Sequence, residues 1–132
     1  MNLFLLLVCC YNLIMINPLR TKKTFEKYKK FMAKEFSPGV CSLCEKAKSI
    51  KNFKYWKIVG NKFPYDLIAK TNHIIFPKRH VVYEELNKAE KRELDLIKSK
   101  YIQKKYEMLI EATKKRQSVP EHFHIHLIIF KD

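Results

Sequence analysis

Acidic residues are scarce in this chain, which has 13 aspartates and glutamates against 27 lysines and arginines in 132 residues. The formal net charge of +14 favours polyanionic partners: nucleic acid, nucleotide polyphosphates or an acidic membrane surface. Coding bias towards lysine would give the same charge, so charge alone identifies no substrate. The chain is too short for more than one domain, and its hydrophobic content of 47% is that of a globular protein rather than a disordered one.

Cysteine is also sparse, and its four copies form two local pairs. Cys9 and Cys10 are adjacent, an arrangement that rarely allows a disulfide of normal geometry. Cys41 and Cys44 have the C-x-x-C spacing of a metal site or a redox pair. The pattern therefore argues against a fold built on disulfides.

The first 19 residues contain no charged side chain, and residues 3–16 are mostly apolar. This run is shorter than the ~20 apolar residues of a membrane-spanning helix, and it lacks the basic start of a secretory signal. Three interpretations remain open: a membrane anchor or signal, a buried element of the fold, or an extension upstream of a working protein that starts at Met15 or Met32. Basic residues follow it, so we expect a cytoplasmic protein, with membrane association through residues 1–19 as the alternative.

Residues 20–36 are rich in lysine and have apolar side chains on one helical face. These apolar residues are Phe25, Tyr28, Met32 and Phe36. The pattern predicts a basic amphipathic helix or linker. Ser37-Pro38-Gly39 interrupts it, and we expect the main domain over residues 37–132.

Short apolar runs at residues 56–59 and 74–76 predict strands, with a loop over residues 61–64 between them. Asn87, followed three residues later by Glu90, is typical of a helix start. Helical spacing continues beyond residue 100. Either one helix runs to about Ala112, or a strand begins near Tyr106.

The last segment has the pattern H-F-H-I-H-L-I-I-F over residues 122–130. In a strand, alternate residues share a face, so His122, His124 and His126 would line one side while the apolar residues between them enter a core. Three imidazoles on one face suit metal binding or proton chemistry near neutral pH.

The motif His-φ-His-φ-His-φ-φ, with φ apolar, resembles that of the histidine-triad (HIT) superfamily. The block N-K-F-P-Y at residues 61–65, followed by H-I-I-F-P-K-R-H at residues 73–80, resembles the matching region of that superfamily. The order C-x-x-C, this block, a helix and the triad also agrees, and the resemblance covers roughly residues 40–130. It implies an α+β fold, with a small antiparallel sheet that carries the triad on its last strand and one main helix packed across it.

The resemblance also implies roles for individual residues. His124 would be the nucleophile that attacks a nucleotide α-phosphorus and forms a covalent nucleotidyl-histidine, and His126 would contact the phosphate and assist the leaving group with a proton. Gln117 and Ser118 resemble a phosphate-contacting Gln-Ser-Val segment. Asn61, Phe63 and Tyr65 lie where family members contact the nucleoside, and Lys78 could attract phosphate.

Members with C-x-x-C hold a structural zinc, which maps onto Cys41, Cys44, His73 and His122. This is a closed tetrahedral ligand set that would stabilise a small domain. A degenerate site without metal and a redox pair are the alternatives. His80 is expected to make a structural hydrogen bond.

One departure concerns residues 111–116, a lysine-rich stretch without glycine where many members have a glycine- and asparagine-rich one.

The predicted function is a nucleotide hydrolase or nucleotidyl transferase, and the substrate is a dinucleoside polyphosphate, a nucleoside phosphoramidate or a nucleotidylated end. The alternative is a non-catalytic nucleic-acid-binding module with a structural zinc. The family resemblance also implies a homodimer.

Overall fold

The computed structural model describes residues 18–35, 40–45, 48–117 and 119–132, with the side chains of residues 34 and 35 excepted. Most of the apolar amino-terminal segment therefore lies outside the described residues. Within the described ranges, no helix is long and apolar enough to cross a membrane.

The centre of the protein is a five-stranded antiparallel sheet, whose strands are β1 Lys51–Asn52, β2 Trp56–Gly60, β3 Ala69–Pro77, β4 Met108–Ile110 and β5 Ile125–Phe130. Their order in the sheet is β1-β2-β3-β5-β4. Both predicted strands are present, and β3 begins five residues earlier than its apolar run suggested. The pairing of Ile74 with His126 sets the register between β3 and β5.

The main helix begins at Asn87, as its capping sequence predicts. The Asn87 side chain accepts a hydrogen bond from the Glu90 amide, and the Glu90 carboxylate accepts one from the Asn87 amide. This helix is α2, because α1 (Lys22–Glu35) precedes it in the chain; it spans Lys88–Ile97 and continues through a π-helical turn and a last α-helical turn. These turns are Lys98–Ile102 and Gln103–Lys105. The helix ends at Lys105 and β4 begins at Met108, so of the two predictions for this region the strand near Tyr106 is confirmed and the helix to Ala112 is wrong.

The largest core cluster lies between the sheet and α2. Trp56, Ile75 and Leu127 pack from the strands against Leu94 and Ile97 of the helix. The Trp56 indole also donates a hydrogen bond of 2.9 Å to the Glu90 carbonyl. Each fully buried apolar side chain contributes about 1.5–3 kcal/mol, so this layer supplies much of the stability. The α+β fold with one main helix across an antiparallel sheet is confirmed.

Helix α1, Lys22–Glu35, lies on the opposite side of the sheet from α2. Its start is fixed by Asp66, whose carboxylate accepts hydrogen bonds from the Thr21 amide, the Thr21 hydroxyl and the Thr24 hydroxyl. Farther along, Tyr28 and Phe31 pack their rings against Phe63 at 5.7 and 5.1 Å between centroids. The amphipathic pattern thus forms a helix whose aromatic face covers the loop after β2.

Candidate functional site

The three histidines of the triad are all buried, with exposed fractions of 1–4%. Strand β5 begins only at Ile125, so His122 and His124 lie in the segment that leads into it. The sequence-based placement of all three on the strand is corrected to this extent. The alternation persists, because Phe123 and Ile125 enter the core beneath the main helix while the histidines face the other side.

A pocket of about 400 Å³ adjoins the triad. Its lining includes His124 and His126 from the triad, Asn61, Lys62 and Phe63 from the loop after β2, and Arg20 from the segment before α1. The size is within the range of small-molecule sites, and the mixture of aromatic walls and a few polar groups is typical of them.

The imidazole of His124 is held in one tautomer. Its Nδ1 lies 2.9 Å from the carbonyl oxygen of His122. A carbonyl only accepts hydrogen bonds, so Nδ1 carries the proton and donates it. In the neutral ring, Nε2 is then the nitrogen with the lone pair, as a nucleophile requires.

The imidazole of His126 lies 5.5 Å from that of His124, centroid to centroid. The Asn72 amide nitrogen lies 3.2 Å from Nδ1 of His126 and donates to it. Because the Asn72 oxygen already accepts from the Tyr65 amide and the Asn61 side chain, the orientation of this amide is fixed. Nε2 of His126 therefore carries the proton in the neutral ring, and it lies 3.1 Å from the Tyr65 hydroxyl.

Next to the triad, four residues lie close enough together to bind a metal ion: Cys41, Cys44, His80 and His122. Nδ1 of His122 lies 3.4 Å from each sulfur, and Nδ1 of His80 lies 3.4 Å from that of Cys44. Nε2 of His122 donates to the Pro77 carbonyl at 2.7 Å, which leaves its Nδ1 lone pair directed at the sulfurs.

The assignment of His73 to this cluster was wrong. In β3, Ile74 and Phe76 face the cysteine side, so His73 points to the opposite face of the sheet. There its Nδ1 lies 2.6 Å from the Tyr106 hydroxyl. Burial lowers the pKa of His73, and the charge of Lys105 acts in the same direction.

His80 takes the place in the cluster that His73 was expected to occupy. It lies just beyond β3, which ends at Pro77, and the residue before it is anchored, because Arg79 forms a fork of two hydrogen bonds, 3.0 and 2.7 Å, with the Glu90 carboxylate. Glu90 is buried, and the hydrogen bond from Arg79 lowers the pKa of this carboxyl. The ion pair thus connects the start of the main helix to the segment that carries His80.

The structure brings together some of the predicted substrate-binding residues and not others. Asn61 and Phe63 line the pocket, and Tyr65 stacks on His126 with centroids 4.3 Å apart. Lys78 instead donates to the Phe53 carbonyl, and Gln117 donates to the Ala112 carbonyl outside the pocket lining. Ser118 lies outside the described residues, so its phosphate contact stays a prediction.

Sequence reasoning missed Arg20, Asn72 and the aromatic residues Tyr28 and Phe31 as parts of the site. The periodicity of α1 did indicate an apolar face, but not what it covers. For Asn72, the available signal was its position two residues before Ile74 in the same strand, which places both on the triad face.

Comparison with solved structures identifies the fold. The chain is similar to a HIT family hydrolase from Legionella pneumophila Philadelphia 1, with 19% identity and a TM-score of 0.51 over 70% of this chain and 95% of that one. It is also similar to a HIT family hydrolase from Clostridium thermocellum, with 18% identity and a TM-score of 0.51 over 73% and 95%.

A third similar structure, that of a protein named HTC1, covers 98% of this chain and 83% of its own, with a TM-score of 0.55 and 15% identity. No family model matches the sequence, and no curated protein does. The structural neighbours therefore confirm the HIT-like fold that the triad motif suggested.

Proposed function

We propose that this HIT-like chain is a nucleotide hydrolase or nucleotidyl transferase that acts at a nucleoside α-phosphate through a covalent nucleotidyl-His124. The observation that carries the proposal is the hydrogen bond between Nδ1 of His124 and the His122 carbonyl, at the wall of the pocket. It makes Nε2 the nucleophilic nitrogen of a neutral imidazole.

In the first step, the Nε2 lone pair forms a bond to the α-phosphorus, and the bond from phosphorus to the leaving group breaks with its electron pair. The imidazole becomes positively charged, and the His122 carbonyl, which accepts from Nδ1, stabilises that charge. In the second step, water or another acceptor attacks the same phosphorus and loses its proton to solvent, while the bond from phosphorus to Nε2 breaks with its electron pair on nitrogen, so that neutral His124 and the nucleotide product are released.

His126 supports this chemistry as a hydrogen-bond donor. Its Nε2–H is directed away from Asn72 and towards the Tyr65 hydroxyl, 3.1 Å away, and His126 lines the pocket, so a bound phosphate oxygen would replace or share that hydroxyl as the acceptor. We therefore assign His126 to the phosphoryl or leaving-group oxygen, where a donated hydrogen bond stabilises developing negative charge.

The pocket walls suit a nucleoside. Phe63 lies at 5.1 Å from Phe31 between ring centroids, and both line the pocket with Asn61. Aromatic faces stack on a base, and an amide side chain binds its polar edge or the ribose.

We also propose that the cluster of Cys41, Cys44, His80 and His122 binds a zinc ion with a structural role. In a tetrahedral site with Zn–S of about 2.3 Å and Zn–N of about 2.0–2.1 Å, sulfur and nitrogen lie roughly 3.6 Å apart. The observed sulfur–nitrogen distances of 3.4 Å fit that geometry. Zinc there would join three segments that are distant in sequence, and it would hold the segment that leads to His124.

The test is intact-protein mass spectrometry after brief incubation with adenylated and guanylated substrates, without an acid quench. The parent is expected to gain the mass of one nucleotidyl group, and His124→Ala is expected to gain none. His73→Gln is the matched control, because it alters a histidine on the opposite face of the sheet and should leave the adduct intact. Full turnover by His124→Ala would overturn the mechanism.

A second candidate is a non-catalytic nucleic-acid-binding module. One observation favours it: the solvent face of α1 carries five exposed lysines. They are Lys22, Lys23, Lys27, Lys29 and Lys30. Binding to a phosphate backbone should weaken steeply as salt is added, whereas turnover in a pocket should depend on salt much less. A protein that binds oligonucleotides in this way but turns over no nucleotide would support the module.

A further inference from the structure

Arg20 is a buried cation in the wall of the pocket. Its exposed fraction is 7%. Nε donates a 2.8 Å hydrogen bond to the Phe63 carbonyl, and the guanidinium carbon lies 4.5 Å from the centroid of Tyr28 and 4.8 Å from that of Tyr65. Two aromatic faces therefore hold the guanidinium, which suits a planar cation.

The chain around Arg20 fixes this position. Immediately after it, Thr21 donates both its amide and its hydroxyl to Asp66. Immediately before it, the Leu19 carbonyl accepts a hydrogen bond from the Leu67 amide at 3.0 Å. The backbone is thus held on both sides of Arg20, and the hydrogen bond from Nε to the Phe63 carbonyl holds the side chain at the pocket wall.

Within the described part of the chain, Arg20 forms no direct ion pair, and the nearby carboxylate whose charge acts on it is Asp66, which accepts its hydrogen bonds from Thr21 and Thr24. None of the three ion pairs there includes Arg20. Glu45 and Glu121 also line the pocket, but neither pairs with Arg20. Removing a cation from water without a direct ion pair is costly, and burial lowers the pKa of Arg20, an effect that the charges of Tyr65, Tyr28 and Asp66 oppose. Arg79 shows the contrast, because its guanidinium is forked to Glu90.

Arg20 is also connected to the triad through one ring. Tyr65 lies under the guanidinium on one side and stacks on His126 at 4.3 Å. An anion bound at Arg20 would therefore be separated from His126 by the width of this tyrosine, rather than lie on the phosphorus that His124 attacks. The pocket is continuous from Arg20 to both histidines.

We propose that Arg20 binds a second phosphate of the nucleotide, in addition to the phosphate at which His124 reacts. The inference rests on the proposed function and narrows its substrate class to nucleotides with a further phosphate. That phosphate is either in the leaving group, as in a nucleoside polyphosphate, or on the ribose, as in a nucleoside bisphosphate. Arginine suits this role because its fork matches two phosphate oxygens.

The test measures binding in the full chain with His124→Ala, so that turnover does not interfere. Calorimetric titrations compare AMP, ADP and adenosine 3′,5′-bisphosphate in that chain and in the same chain with Arg20→Gln. A charge-assisted pair predicts a preference of about tenfold to a hundredfold for a ligand with the second phosphate over AMP. Arg20→Gln should abolish that preference and leave AMP binding nearly unchanged.

Two further variants make the result specific. Lys100→Gln removes the same charge from an exposed position on the main helix, across the sheet from the pocket, and should keep the preference. Arg20→Lys keeps the charge without the fork, and its preference should be intermediate. If Arg20→Gln does not fold, Arg20→Lys still gives, within a single protein, the ratio of the affinity for a ligand with the second phosphate to the affinity for AMP.

The ligands distinguish the two sources of the phosphate. If Arg20→Gln loses only the preference for ADP over AMP, the second phosphate is in the leaving group. If it loses only the preference for the bisphosphate over AMP, the second phosphate is on the ribose. An unchanged preference, or equal losses for all three ligands, would overturn the role of Arg20 and leave the proposed function standing. Arg20-dependent binding of inorganic pyrophosphate without binding of any nucleotide would overturn the nucleotide assignment instead.

Discussion

The two faces of the sheet consist of the same strands and differ in what alternate side chains contribute. On the face beneath the main helix, Trp56, Ile75 and Leu127 form a closed apolar layer. On the other face, Asn72, His124 and His126 lie among pocket residues, and the cysteine–histidine cluster adjoins them. One face gives the protein its stability, and the other concentrates its polar chemistry.

The role of a residue therefore depends more on which face of the sheet it occupies than on its residue type. His73 and His126 are both histidines on paired strands, yet His73 pairs with Leu127 and shares the helix face, whereas His126 pairs with Ile74 on the pocket face. The first makes one hydrogen bond to Tyr106, and the second joins the candidate site. Changes on the two faces should therefore have separable effects.

The largest effect on stability is expected from Trp56→Ala on the helix face. The indole is fully buried, packs edge-on to Phe123 and donates to the Glu90 carbonyl. Its loss should lower the free energy of unfolding by about 3–5 kcal/mol. Trp56 is the only tryptophan, so urea unfolding is followed by circular dichroism. A loss below 1 kcal/mol would break the assignment of the stabilising layer to this face.

Metal removal, which changes the pocket face, should have the next largest effect on the free energy of unfolding. With zinc at a hundredfold excess over its dissociation constant, chelation should lower stability by about 2.7 kcal/mol. His80→Gln should reduce both the zinc content and the response to the chelator. His73→Gln should keep one zinc per chain by elemental analysis. The reverse result would restore His73 to the ligand set.

The smallest effect is expected from His73→Gln, the substitution of one side chain in the helix-face layer. At pH 7 its cost should be about 0.5–1.5 kcal/mol, the contribution of one neutral hydrogen bond. Burial holds the pKa of His73 below its ordinary value of 6.5, so the unfolded chain binds this proton more readily than the folded one.

The stability that His73 contributes is therefore present above pH 6.5 and is lost as the pH falls towards the folded pKa. Denaturant titrations from pH 7.5 to pH 5 should show a weaker decline in His73→Gln than in the parent. Equal declines in the two proteins would show that His73 is not a source of the pH dependence.

Local patterns accounted for the elements that depend on neighbours in sequence. The Asn87–Glu90 pair predicted the start of the main helix, and the alternation from His122 to Leu127 predicted which residues share a face. Both features act over a few residues, so the sequence contains the whole cause. The choice between a longer helix and a strand near Tyr106 stayed open, because β4 exists only through its pairing with β5.

The candidate site was predictable where one motif contained it and not where distant segments meet. The triad and the C-x-x-C pair were visible, but the fourth member of the cluster depended on which face of β3 each residue occupies. His73 precedes an apolar run, which suggested a position at the start of the strand. In fact β3 begins at Ala69, and His80, just beyond its end, reaches the cysteines.

The sequence by itself determined the fold class, the helix start and the alternation that separates the histidines of the triad from the core. Tertiary structure decided which residues form the cysteine–histidine cluster and the burial of Arg20, which in the sequence is one cation at the edge of a basic stretch. Its position results from hydrogen bonds between Thr21 and Asp66, 45 residues apart. Periodicity reports only on neighbours along the chain, whereas such contacts form when the segments pack.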